Sequence, residues 1–167
     1  MRKVFTGIAL LLPIGLAQAQ APEQAQRGRE VFVEKKCGTC HRFDGQGTAI
    51  APDLKAIASL SPRAIAIAIR STRTQSVISV TLKTGETFFG MRAGAEGDGM
   101  QVYDLTKDPP VLRKLTAAEI DSTKDNDAWK HPPATTEMSA QQLADVIGYI
   151  RWIGARDKKV VDPAEVQ

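Results

Sequence analysis

The chain has 167 residues, enough for one or two small domains with a modest core. Its formal charge is +3, but Arg2 and Lys3 belong to a segment that reads as a cleaved leader, and without them 20 basic side chains face 19 acidic ones, a net +1. The basic balance thus comes mostly from the leader and is no sign of a nucleic-acid partner, and the two cysteines, which share one short motif, leave no disulfide framework.

Residues 1–19 combine Arg2 and Lys3, an apolar run from Val4 to Leu16, and Ala17-Gln18-Ala19. This is the pattern of a secretory signal with an Ala-x-Ala cleavage site, and the run is too short to span a bilayer. The mature chain is expected to begin at Gln20. It is expected to be periplasmic or secreted, with no stable membrane insertion after cleavage. Residues 22–36 read as a first helix, with Pro22 at its start and Glu23 favourable at the N-terminal dipole. Gly28, Val31 and Phe32 form its close-packing face.

Cys37-Gly38-Thr39-Cys40-His41 follows. Cys-x-x-Cys-His is the attachment signature of a c-type haem. The two thiols add to the two vinyl groups as thioethers, and His41 is placed to ligate the iron. A zinc site would need a second cysteine pair. A redox dithiol would follow a strand, whereas the preceding residues read as helix. One covalent haem c is therefore expected, held by Cys37, Cys40 and His41. It also fits export, because bacterial c-type haem is attached outside the cytoplasm.

Residues 42–60 are loop-like, punctuated by Gly45, Gly47 and Pro52. A carbonyl from this loop is expected to accept the His41 Nδ1 proton and hold the ring. Ser61-Pro62 is a helix start, leading a helix to Arg70. The pattern then turns strand-like. Strands are expected at 76–82, 86–92, 100–105, 111–115 and 120–124, with a long glycine-rich turn at 93–99 and a helical turn at 116–119. Five short strands predict a small barrel of the SH3 or Sm kind. No aromatic series or basic stripe gives it an RNA-binding face. Residues 125–137 are irregular. Ser139 and Gln142 form a capping box for a last helix with an apolar stripe of Leu143, Val146, Ile147, Ile150 and Ile153. The charged stretch 158–167 is expected to be a flexible tail.

With these pieces in place, the outer segments, roughly 22–74 and 125–156, resemble a class I cytochrome c. Gly28 and Phe32 match that family's first helix, and Val146 and Tyr149 its last. Ala51-Pro52-Asp53-Leu54 is similar to the family's Gly-Pro-x-Leu loop. The resemblance implies that the Pro52 carbonyl bonds His41 and that Leu54 packs on the haem. The whole chain more closely resembles haem-binding domains found beside quinoprotein-like dehydrogenase modules, which carry a β insertion. Val80-Thr81-Leu82-Lys83-Thr84-Gly85-Glu86-Thr87-Phe88-Phe89-Gly90 is similar to their V-T-L-K-D-G-x-x-x-x-G segment. The implied fold is a mainly α cytochrome c with an inserted five-stranded β-barrel, α+β overall. The cytochrome c domain would span 20–74 and 125–157, and the insertion 75–124.

The family usually ends with Met-Pro ahead of the last helix. Here that place holds Lys130-His131-Pro132-Pro133, so His131 stands where the axial methionine is expected, and the iron ligands would be His41 and His131. Met138 is the alternative distal ligand. The expected function is electron carriage between redox partners, without catalysis, with a quinoprotein-like dehydrogenase as a candidate partner. The alternative is a haem sensor or peroxidase-like enzyme with an open or labile distal position. The insertion either covers one haem edge or docks a partner. Lys35, Lys36 and Arg42 are candidates for a patch facing an acidic partner.

Overall fold

Gly28 sets the main helix crossing. α1 (Glu23–Glu34) and α3 (Ala140–Ala155) meet where a Cβ at position 28 would collide with the Asp145 carbonyl and lie 2.7 Å from Tyr149 Cβ. Glycine is costly inside a helix by about 1 kcal/mol, and here the absent side chain is what lets the two backbones touch. The computed structural model that carries these contacts describes residues 22–71, 76–126, 128–132 and 137–167. The expected leader at 1–19, the Gln20 start and the boundary at 74–75 lie outside the described residues.

Three rings extend the crossing into a core. Phe32 and Tyr149 stand 5.8 Å apart, Phe43 and Tyr149 5.3 Å, and Phe32 and Phe43 6.2 Å. Tyr149 also donates its hydroxyl to Asp44 Oδ2 at 3.0 Å, which fastens the loop after His41 to α3. α3 begins as its sequence dictates. Ser139 Oγ accepts from the Gln142 amide at 3.1 Å, and Gln142 Oε1 accepts from the Ser139 amide at 3.1 Å. Met138 is buried just before this cap, in the same core as Leu143, the pairing of a hydrophobic staple. α2 (Pro62–Arg70) is capped by Ser61, whose Oγ accepts from the Ala64 amide at 3.3 Å, and it buries Ile65 and Ala66.

Residues 158–167 are not the flexible tail that their charge predicts. Val161 and Val166 are each 1 % exposed and belong to the helical core. Gln24 pins the segment by two bonds of 2.8 Å, donating Nε2 to the Val161 carbonyl and accepting the Val161 amide at Oε1. Two valines along a charged stretch anchor it, and the Gln24 side chain on α1 partners the backbone of Val161.

The five strands are β1 (Val77–Leu82), β2 (Thr87–Glu96), β3 (Gly99–Asp104), β4 (Val111–Leu115) and β5 (Ile120–Asp125). They form one antiparallel sheet in the order β4-β3-β2-β1-β5, with β5 returning to pair with β1. β2 runs further than expected. The glycine-rich stretch expected as a turn continues the strand through an irregularity between Arg92 and Gly94, and the chain reverses only at Gly97, whose φ is +54°. Ile78, Val80, Phe88, Val102 and Leu115 form the sheet's own core, separate from the helical one. The described architecture is thus α+β, three α-helices beside a five-stranded antiparallel sheet. No helix among the described residues is long and apolar enough to cross a membrane.

Candidate functional site

The cysteine motif forms a tight turn of its own. Lys36 ends α1 in the left-handed region at φ 54°, and Cys37–Thr39 make one turn of 3-10 helix. The following loop folds back on it. The Ala51 amide donates to the Cys40 carbonyl at 2.8 Å and the Thr48 amide to the Gly38 carbonyl at 3.1 Å. This brings Pro52 beneath His41, and the Pro52 carbonyl lies 2.7 Å from His41 Nδ1. A carbonyl can only accept, so Nδ1 carries the proton and Nε2 the lone pair. Asp53 then caps a second 3-10 turn, Leu54–Ile57, by accepting from the Lys55 amide at 2.8 Å, and half-buried Leu54 packs on the helical core.

His131 lies 90 residues further along the chain, and the fold brings it to the same place. The two ring centres are 6.1 Å apart with their planes 89° to one another. His131 Nδ1 lies 2.9 Å from the Ile69 carbonyl at the end of α2, so its lone pair too is on Nε2. The loop that delivers His131 is shaped at the end of β5. Asn126 Oδ1 accepts from the Ala128 amide at 2.9 Å and the Trp129 amide at 2.5 Å, and Nδ2 donates to the Trp129 carbonyl at 3.1 Å. Trp129 stands 6.4 Å from His131. The Ile69 carbonyl carried no side-chain signal in the sequence. The Asn126 turn did, since Asn directly after a strand favours such side-chain-to-backbone turns.

Electrostatics argue against a redox dithiol. Burial pushes the Cys37 thiol up to about 11, and burial with the nearby Asp108 charge pushes Cys40 up as well. A reactive dithiol needs the opposite shift. Burial also holds His41 below its ordinary range, against an opposing push from the Pro52 bond and with a further lowering by His131. The neutral imidazole that results is the form that binds metals.

The donor set fits a haem. Two thiols precede an oriented imidazole by the spacing that haem attachment needs. Beside them stands a second imidazole, His131, its ring centre 6.1 Å from that of His41. Met138 is buried in the helical core at the staple position instead. Met91 and Met100 lie in the sheet, on β2 and β3. Of the cationic patch, Lys36 is paired with Asp108 at 3.3 Å and Lys35 with Glu34 at 3.1 Å.

An α+β chain with a haem-attachment turn clasped against an oriented histidine defines a c-type haem protein. A family model for cytochrome c matches residues 25–120, more than half of the chain, and the chain belongs to the cytochrome c family. It is a haem-binding electron-transfer cytochrome of class I with one covalently attached haem c. The matched span includes the cysteine motif and β1 to β4, and it ends before His131 and α3. No curated protein matches the chain.

Proposed function

We propose that this is a periplasmic monohaem cytochrome that carries single electrons between redox partners, with His41 and His131 as its two axial ligands. The observation that carries the reading is the pair of imidazoles 6.1 Å apart, each oriented through Nδ1 by a backbone carbonyl. Bound haem supplies a one-electron iron couple, and two axial ligands leave no position for substrate. Cys37 and Cys40 tether the ring. Pro52 and Ile69 fix the imidazoles, so little side-chain movement accompanies a change of iron charge. The leader-like residues 1–19 support the periplasmic location.

The family's thioether ligand raises the potential, and imidazole removes that effect. Axial ligation contributes to a tuning range of about 0.8 V, so the potential falls well below that of His/Met cytochromes. In this reading residues 20–74 and 125–157 form the haem domain, and 75–124 form an SH3- or Sm-like insertion. The Lys36–Asp108 pair, from the residue before Cys37 to the β3–β4 turn, supports an insertion lying over one haem edge. The partner is another redox protein, with a quinoprotein-like dehydrogenase as the first candidate. Spectroelectrochemical titration of the purified holoprotein tests this. The expected result is a single one-electron wave at low potential and no carbon monoxide binding to the reduced form. Ready binding of carbon monoxide would favour a sensor or peroxidase-like protein instead.

A further inference from the structure

We propose that the C-terminal segment is a strap that positions the distal imidazole, acting through Arg70. The inference rests on the reading of His131 as the distal ligand. The argument begins with the end of α2. A helix leaves its last carbonyls without intrahelical partners. α2 stops at Arg70, so the Ile69 carbonyl is one of these, and His131 Nδ1 takes it up at 2.9 Å. The last turn of α2 therefore helps to set the direction of the His131 ring.

That turn is held from outside. Arg70 Nη1 donates to the Val166 carbonyl at 2.7 Å. A bond from a charged donor is stronger and shorter than a neutral one. Val166 is itself immobilised. It is 1 % exposed and closes the 3-10 turn Pro163–Val166, which Asp162 caps by accepting from the Ala164 amide at 2.8 Å. Five residues earlier, Gln24 clasps Val161 on both backbone groups. A nine-residue helix is marginal alone. Here a continuous line runs from α1 through Gln24, Val161, Val166 and Arg70 to the carbonyl that orients His131. Arg70 acts through the last turn of α2 and is a positioning residue.

The experiment titrates ferric holoprotein with imidazole, which must displace His131 to bind. Arg70→Ala and removal of residues 163–167 are each expected to tighten imidazole binding about three- to tenfold, the range of one lost hydrogen bond. Arg70→Lys, which keeps a cationic donor, is expected to stay near the wild type. Ser139→Ala, which removes a cap bond at the start of α3 and none of the strap's hydrogen bonds, serves as the control for general destabilisation. In a His131→Ala background, Arg70→Ala is expected to change nothing further. Unchanged imidazole affinity in Arg70→Ala overturns the strap, as does an equal gain in Ser139→Ala. If His131→Ala keeps the wild-type low-spin spectrum, it is the ligand assignment that fails, and the two failures are told apart.

Discussion

His41 and His131 are separated by 90 residues, yet their ring centres lie 6.1 Å apart and each Nδ1 meets a backbone carbonyl. The two anchors come from different elements. Pro52 belongs to the loop that wraps the cysteine motif, and Ile69 to the end of α2. Ring direction on both sides is thus set by backbone rather than by exposed side chains, which suits a site that must change charge without rearranging.

Haem attachment follows from the motif, in which Cys37 and Cys40 directly precede the oriented His41. Acid–organic extraction is expected to leave the pigment on the wild-type chain. In a Cys37→Ser, Cys40→Ser double variant the pigment is expected in the solvent. Free haem recovered from the wild type would contradict covalent attachment.

The α1–α3 crossing has no room for a side chain at position 28. Gly28→Ala is expected to cost about 1–3 kcal/mol, because the neighbours it meets are backbone and a Cβ rather than a flexible tip. Denaturant unfolding of the variant measures this. A loss below about 0.5 kcal/mol, within the range of ordinary surface changes, would mean that the helices separate freely.

Removing the Ser139 hydroxyl deletes half of the capping box on α3. Ser139→Ala is expected to lower stability by about 1 kcal/mol, with the haem spectrum unchanged. Thermal unfolding followed by circular dichroism gives the first quantity and absorbance the second.

Three glutamates of the sheet have lowered pKa values. Glu86 is held down by the Arg113 hydrogen bond first, Glu96 by Gln101, and Glu119 by the Thr116 amide. The sign follows directly. In the unfolded chain these groups take up protons near their ordinary 4.5, before the folded sheet does, so acid favours unfolding. The stabilisation is present above that value and is lost as pH falls through the lower folded values. Melting temperature is expected to drop from about pH 5 to about pH 3, and less steeply in Glu86→Gln. A flat profile would contradict these hydrogen-bond and ion-pair assignments.

What the sequence disclosed was chemistry confined to a few neighbouring residues. The cysteine motif, the Ser61 and Ser139 caps, the close-packing Gly28 and the strand-rich middle are all short-range signals, and each has its expected place in the structure. Long-range pairing was hidden. Nothing at Ile69 marks its carbonyl as the partner of His131, since a backbone acceptor has no side-chain identity. Gln24 and Val161 lie 137 residues apart, and a few valines in a charged stretch read as tail until the surface beneath them is known. The long β2 was obscured by glycines that more often end strands, whereas here the sheet absorbs them as an irregularity at Arg92–Gly94.

The ligand assignment is tested most directly by the visible and electron paramagnetic resonance spectra of ferric His131→Ala beside Met138→Ala. The account predicts that His131→Ala turns a low-spin haem high-spin, while Met138→Ala, which only opens the helical core, leaves it low-spin. A low-spin His131→Ala protein together with a high-spin Met138→Ala protein would make Met138 the ligand and contradict the account.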